Sequence, residues 1–237
     1  MPDDDQQPTN TTPSESWRYR IDREHPLGGE MSDIVGGIVR RVQLPWLLRN
    51  YASVPVLAIF SFLNGLLSIG IMSFIALITG SPFIFPSLGP TAFLFFYTPT
   101  APTASPRNTI IGHGIGVIFG YLSLVVTGLT TAGPAMAVGV TWPRVIAAAL
   151  SLGFTAGVMV LVKSPHPPAG ATTLIIALGI LTKPTQLLIL MLAVVVLTAQ
   201  AFVINRLAGI PYPLWNPRPT PPELQAATSA TQGPKRS

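Results

Sequence analysis

The sequence predicts an all-α, polytopic transmembrane helix bundle with four long helices and two short broken half-helices in two internal repeats. About half of the 237 residues are apolar and 10% are charged, whereas soluble domains carry about a quarter charged residues. Four apolar stretches lie near residues 52–79, 109–129, 143–162 and 184–207. Each has close to the ~20 residues that a helix needs to cross a bilayer.

Two shorter apolar segments, near residues 88–98 and 168–181, cannot cross a bilayer as helices on their own. Both begin at a proline–glycine cluster, PSLGP at residues 86–90 and PHPPAG at residues 165–170. Because proline favours the first turn of a helix, each segment is predicted to be an extended lead-in followed by a half-helix.

The two half-helices resemble each other in sequence. GPTAFL at residues 89–94 aligns with GATTLI at residues 170–175. The halves 52–129 and 143–207 therefore share one plan, a long helix, a broken short helix and a long helix. A matching pair of interrupted segments in two halves indicates a transporter binding site.

Arginine is frequent near both chain ends, and the positive-inside rule then predicts that both termini are cytoplasmic. Two topologies satisfy this rule. Re-entrant half-helices give four crossings with parallel repeats, whereas lead-ins that complete a crossing give six crossings with inverted repeats. The remaining charges, Arg107, Arg144, Lys163 and Lys183, favour six crossings by one residue.

The predicted organisation has four parts. Residues 1–33 are expected to be a disordered cytoplasmic tail. Residues 34–50 read as a basic amphipathic juxtamembrane segment or an ordinary linker, residues 51–208 as the transmembrane domain and residues 209–237 as a C-terminal cytoplasmic tail. We expect an integral protein of the cell membrane, in contact with the lipid bilayer.

The distribution of charge narrows the class of solute. No acidic residue occurs between Ile34 and Pro222, which argues against carriers that bind cations through buried carboxylates. The chain has no cysteine. We find no pattern typical of a catalytic site, a metal site, a cofactor or nucleic-acid binding. The charge pattern favours an anion or a neutral solute.

The starts of the two half-helices are the predicted anion site. A helix N-terminus presents unpaired N–H groups and a positive partial charge. Glycine would let a ligand approach the backbone, and hydroxyl groups would add donors. The alternative is that proline and glycine only break the helices for packing. The predicted site residues are Ser87, Gly89, Pro90, Thr91, Pro167, Pro168, Gly170 and Thr172.

Two further residues could assist an anion. His166 precedes the second half-helix and titrates near neutral pH, so it is the candidate for proton coupling, or else a structural histidine. Arg107 could attract an anion at an entrance, or could be an arginine that snorkels to the interface.

Glycines at four-residue spacing predict two close-packing helix faces, Gly112, Gly116 and Gly120 on one helix and Gly153 and Gly157 on another. His113 lies one residue off the first face. We expect its ring to bond to a neighbouring helix, at Asn64 or Gln200.

Four stretches of the sequence together resemble the HPP family of integral membrane proteins, which is named for His-Pro-Pro. They are SPHPPAGAT at residues 164–172, PSLGPTA at 86–92, PRN with the following GH at 106–113, and NR with the following YP at 205–213. The resemblance implies a domain described as having four membrane-spanning helices. It also implies a link to nitrite, which plant chloroplast and cyanobacterial members are implicated in transporting.

The sequence therefore favours a transporter or channel for a small inorganic anion, nitrite first. The alternative from another class is a non-transporting membrane protein that assembles with a partner through its glycine faces. Carriage of a neutral solute and formation of a homo-oligomer are left open.

Overall fold

The structure is a computed structural model that describes residues 43–217. The predicted tail 1–33, most of segment 34–50 and the end of the chain lie outside the described residues. The described part is helical, and its helices are α1 (Leu44–Asn50), α2 (Ser53–Thr79), α3 (Leu88–Tyr97), α4 (Pro106–Val126), α5 (Ala135–Val138), α6 (Trp142–Leu161), α7 (Pro168–Ala177) and α8 (Pro184–Leu207), with a 3₁₀ turn at Pro102–Ala104.

The predicted fold class is confirmed. Four helices of the described chain, α2, α4, α6 and α8, are long and apolar enough to cross a membrane, and α3 and α7 are short apolar helices. Proline occupies the first turn of α4, α6, α7 and α8, where its missing N–H costs nothing. Helix α7 begins at Pro168, within the proline–glycine cluster that predicted its start.

The first half of the chain passes through the bundle three times. We call the end at which α2 begins and α8 ends the near end; there the Leu44 N–H donates to the Ala208 carbonyl at 2.9 Å. Helix α2 has 27 residues and is about 40 Å long, so it reaches the opposite end of the bundle, which we call the far end. The chain then returns to the near end through the lead-in and α3. The end of α3 lies beside the end of α8, where the Asn205 amide donates to the Phe95 carbonyl at 3.0 Å.

The second half repeats this path in the opposite direction. Helix α6 is antiparallel to α4, with the Phe119 and Phe154 rings stacked at 5.5 Å. Helix α7 runs from the middle of the bundle to the far end, where its last carbonyl, Ala177, accepts from the Arg144 guanidinium at 2.9 Å. Helix α8 then returns to the near end. The described chain thus makes six passages, and its two halves are inverted, as the charge count favoured.

The packed domain continues past α8, beyond the boundary predicted at residue 208. Ile210 and Tyr212 are buried, and the Tyr212 hydroxyl donates to the Ala104 carbonyl at 2.6 Å. Burial raises the pKa of the Tyr212 phenol, so the hydroxyl keeps its proton and remains a donor. This segment fastens the turn between α3 and α4 to the end of α8.

The outer surface is apolar, as a lipid-facing surface should be. In an apolar 18-residue stretch of α2, only 11% of the residues are buried against the rest of the described chain. Large exposed apolar side chains on the long helices include Phe62, Leu66, Leu77, Ile118, Val160 and Leu188.

Candidate functional site

The starts of α3 and α7 meet inside the bundle, against α4. Thr91 lies in the first turn of α3 and His166 lies just before α7, yet the Thr91 Oγ1 atom is 3.3 Å from the Nε2 atom of His166. Both side chains are fully buried. Inversion of the two halves produces this meeting, because α3 and α7 run in opposite directions away from the same level.

His113 of α4 stands at the centre of this meeting. Its Nε2 atom is 3.0 Å from the Thr91 hydroxyl oxygen, and its Nδ1 atom is 2.7 Å from the Thr172 hydroxyl oxygen. The predicted partners were wrong. The Asn64 amide donates to the Phe60 carbonyl one turn earlier, and the Gln200 amide donates to the Met72 sulfur.

The two buried histidines contact each other directly. Their Nε2 atoms are 3.2 Å apart, and their ring centroids are separated by 4.9 Å. The Nδ1 atom of His166 is 2.7 Å from the carbonyl oxygen of Thr103, in the 3₁₀ turn, and 3.4 Å from the hydroxyl oxygen of Thr109. We call Thr91, His113, His166 and Thr172 the histidine–threonine cluster.

The hydrogen-bond partners fix where the protons lie when both rings are neutral. A carbonyl oxygen only accepts, so His166 carries its proton on Nδ1 and donates to Thr103. The facing Nε2 atom of His166 is then an acceptor, so the proton between the rings belongs to Nε2 of His113. His113 therefore accepts at Nδ1 from the Thr172 hydroxyl. The Thr91 hydroxyl donates to the Ser87 carbonyl at 2.9 Å.

Glycines of α4 allow this close approach. A Cβ atom added at Gly112 would lie 2.8 Å from the Cβ of His166, and one at Gly116 would lie 2.8 Å from the Ala169 carbonyl oxygen. At Gly120 it would lie 2.9 Å from the Cβ of Ile176. Any larger residue on this row would push α7 and His166 away from α4.

The second predicted glycine face behaves differently. A Cβ atom at Gly153 or Gly157 would meet nothing within 4 Å among the described residues, and both glycines are exposed. The expected packing role therefore has no counterpart within this part of the chain, because α6 turns this face outwards.

Other residues predicted for the site lie around the cluster or away from it. Gly89 and Pro90 are on the exposed side of α3, and Pro167 is exposed as well. Pro168 is buried, and Gly170 approaches the Leu152 side chain rather than the cluster. Ser87 is fully buried one helical turn before Thr91, and its Oγ atom has no hydrogen-bond partner among the described residues.

Arg107 is engaged at the near end, outside the cluster. Its guanidinium donates to the carbonyls of Lys163 at 3.0 Å and Val162 at 3.2 Å, where α6 ends. Arg144 makes the equivalent contact at the far end, with the carbonyls of Ala177 at 2.9 Å and Gly133 at 2.8 Å. Each arginine thus binds a helix C-terminus, where carbonyl groups lack helical partners and the dipole favours a cation.

Residues 51–213 match the transmembrane region that defines the HPP family. The match covers more than half of the chain, so the protein belongs to the HPP family and is an integral membrane protein.

Two curated relatives come from Dictyostelium discoideum, and both are described only as transmembrane proteins. One is 32% identical over 94 residues, which is 40% of this chain and 30% of the relative. The other is 33% identical over 93 residues, which is 39% of this chain and 27% of the relative. The chain therefore covers less than a third of the length of either relative. No solved structure matches the chain.

Sequence reasoning left His113 out of the predicted site. One signal was present, because a histidine within an apolar helix and beside a glycine row must lie where another helix comes very close. That signal does not identify the approaching helix. The partners of His113 come from positions 22 and 59 residues away in the sequence, and only the inverted packing of the halves brings them to one ring.

Proposed function

We propose that this protein is a transporter or channel for a small inorganic anion, nitrite first. The observation that carries the proposal is the meeting of two half-helix starts at a buried cluster of imidazole and hydroxyl groups. These imidazole and hydroxyl groups can donate hydrogen bonds to an anion.

The charge pattern supports an anion over a cation. No carboxylate exists between Ile34 and Pro222 to balance a buried cation. Among the described residues, a bound anion would therefore meet no carboxylate at the cluster. Membership of the HPP family supports nitrite as the first anion to test, because chloroplast and cyanobacterial members of the family are implicated in nitrite transport.

The inverted halves and their broken helices also support a transporter. In such proteins the solute binds where the two halves meet, and access alternates between the two sides. In this structure the cluster is closed, since all four of its side chains are fully buried. We take this arrangement as an occluded state of the proposed transporter.

The distribution of basic residues supports a location and an orientation. Arg107, Lys163 and Arg206 lie at the near end, and Arg144 and Lys183 lie at the far end. The positive-inside rule then favours a cytoplasmic near end, with both termini on that side. We propose the cell membrane as the host membrane.

The test is nitrite flux into proteoliposomes that contain the purified protein, with nitrate, formate and chloride as competitors. Protein-free liposomes provide the baseline, because nitrous acid leaks through lipid. We expect saturable nitrite flux above this baseline. Absence of saturable flux for every anion, from protein that elutes as a single folded species, would overturn the proposal.

The exposed glycines of α6 favour a second candidate, a membrane protein that assembles with a partner or with its own copies. Gly153 and Gly157 present a small-residue face at four-residue spacing to the lipid, as helix-association faces do. The row at Gly112, Gly116 and Gly120 is already filled by α7 and cannot serve a partner. If this candidate is right, a partner should co-purify with the wild type but not with Gly157→Leu, and the pure protein should show no anion flux.

A further inference from the structure

The contact between the two histidine rings limits how many protons the cluster can hold. The two Nε2 atoms face each other at 3.2 Å, a distance at which one N–H group fits between them. His166 already holds a proton on Nδ1 for the Thr103 carbonyl. A further proton at the Nε2 atom of His166 would therefore set two N–H groups against each other.

Among the described residues, no other group around the rings would stabilise that additional positive charge. The rings contact each other and the threonines 91, 103, 109 and 172. The Arg107 guanidinium binds carbonyls at the end of α6, the Arg144 guanidinium binds a carbonyl at the end of α7, and the Tyr212 hydroxyl binds the Ala104 carbonyl. The charged and titratable residues of the surrounding elements are Tyr97, Arg107, Tyr121, Arg144, Lys163, Lys183, Arg206 and Tyr212. None is acidic.

An anion would provide the missing counter-charge. Two N–H groups on neighbouring Nε2 atoms form a pair of donors that an oxyanion can accept at once, and the bonds are strengthened by the charge on the rings. The anion would enter by separating the rings, in place of the direct contact between His113 and His166. The neutral pair lacks the second donor, so the anion and the added proton each favour binding of the other.

We propose that the His113–His166 pair binds one anion together with one proton, so that the protein moves the two as an electroneutral unit. This inference rests on the proposed anion transport. It assigns the coupling ion, a proton, and it assigns the coupling group to both histidines rather than to His166 alone. Net charge movement per transported anion would be zero.

The decisive experiment measures nitrite entry and internal acidification in the same proteoliposomes, at about pH 8 so that little nitrous acid is present. Entry is followed with ¹⁵N-nitrite and acidification with a trapped pH dye, and the protein-free baseline is subtracted. Valinomycin and potassium set the membrane potential. We expect one proton per nitrite and no effect of membrane potential on the flux.

The outcomes separate the two proposals. Saturable nitrite flux that follows the membrane potential without acidification would overturn proton coupling and leave anion transport standing. Absence of any saturable flux would overturn both. A stoichiometric transition metal in the purified protein, whose removal by a chelator abolishes nitrite binding, would also overturn the inference, because both Nε2 atoms would then be metal ligands.

Substitutions identify the histidines as the coupling groups. In His113→Gln the side-chain amide can still donate to Thr91 but cannot take up a proton. We expect acidification and nitrite flux to fall together, by at least about tenfold. The matched control is Thr198→Val, since Thr198 is a buried threonine that donates only to the Val194 carbonyl of its own helix. Full proton-coupled flux in His113→Gln would overturn the assignment.

A binding measurement keeps the inference testable if the variant does not fold. For wild-type protein in detergent, one linked proton makes nitrite affinity fall about tenfold for each unit rise in pH, once the free site no longer holds the added proton. Calorimetry at a series of pH values measures this slope. Nitrite affinity that is independent of pH would overturn the inference.

Discussion

Thr91 and Thr172 bind the two nitrogen atoms of one imidazole ring, that of His113. Thr91 approaches Nε2 at 3.0 Å and Thr172 approaches Nδ1 at 2.7 Å. These threonines occupy the same position in the two repeated segments, GPTAFL and GATTLI. The inverted halves therefore hold a single histidine of α4 between equivalent side chains, and this relationship leads to the first prediction.

Thr172→Val should impair transport more than it impairs folding. Valine keeps the volume of threonine but removes the O–H donor to Nδ1 of His113, which leaves this buried acceptor without its partner. We expect nitrite flux to fall about tenfold, which corresponds to the loss of a hydrogen bond of about 1.4 kcal/mol. Proteoliposome flux measures the effect.

The control for this prediction is Thr198→Val, at a buried threonine of α8 whose hydroxyl bonds within its own helix. It removes the same group from an equally buried place outside the cluster. Equal flux in the two variants would show that the Thr172 hydroxyl has no special role.

Gly116→Ala should destabilise the protein, although alanine is the better helix former. The new Cβ would lie 2.8 Å from the backbone carbonyl oxygen of Ala169, so α7 must shift. Overpacking of this kind costs about 1–3 kcal/mol. Thermal denaturation in detergent should show a lower Tm for this variant.

Gly153→Ala is the matched control, because its Cβ would meet no atom of the described chain within 4 Å. Its Tm should stay equal to that of the wild type or rise slightly. A Tm for Gly116→Ala as high as that of Gly153→Ala would contradict the close approach of α4 and α7.

Arg144→Met should destabilise the far end of the bundle. Arg144 is 2% exposed, and its guanidinium satisfies the carbonyls of Ala177 and Gly133. Methionine preserves most of the apolar contact but leaves these oxygens without their donor, at a cost of about 1–3 kcal/mol. A denaturant titration in detergent should reveal a lower midpoint.

Arg206→Met serves as the reference for a substitution at an exposed arginine of α8, which lies over the Phe202 ring. Its free energy of unfolding should differ from that of the wild type by less than about 0.5 kcal/mol, so its denaturation midpoint should hardly move. If both variants denature at the same midpoint, Arg144 does not stabilise the end of α7.

Cysteine labelling should report six passages of the chain. The sequence has no cysteine, so single cysteines at Asn50, Ala101 and Thr131 give unambiguous signals. We expect a membrane-impermeant thiol reagent to reach positions 50 and 101 from one side and position 131 from the other. A four-crossing topology would instead place position 101 opposite position 50.

Much of the fold could be predicted because it depends on local sequence. Apolar length predicted α2, α4, α6 and α8, and the prolines predicted where the half-helices begin. The similarity of residues 89–94 and 170–175 predicted the repeat. These signals act within one or two turns of helix, so a single sequence is enough to read them.

The site could be predicted only in part because its contacts depend on distant packing. The glycines at 112 and 116 and those at 153 and 157 share one spacing, yet within residues 43–217 only the first pair meets another helix. Arg107 was predicted to attract an anion at an entrance or to snorkel to the interface, and the sequence did not show that carbonyl groups at the end of α6 bind it. Which helix end or face approaches a residue is decided by the tertiary structure.

The depth of the cluster has an electrical consequence. His113 is the eighth residue of the 21-residue helix α4, so the cluster lies about 10 Å from the near end of a helix about 32 Å long. An ion that reached it alone from the near side would cross roughly a third of the membrane field, worth about 0.8 kcal/mol per 100 mV. An anion accompanied by a proton would carry no net charge along either route, so its binding would not sense the resting potential of the cell from either face.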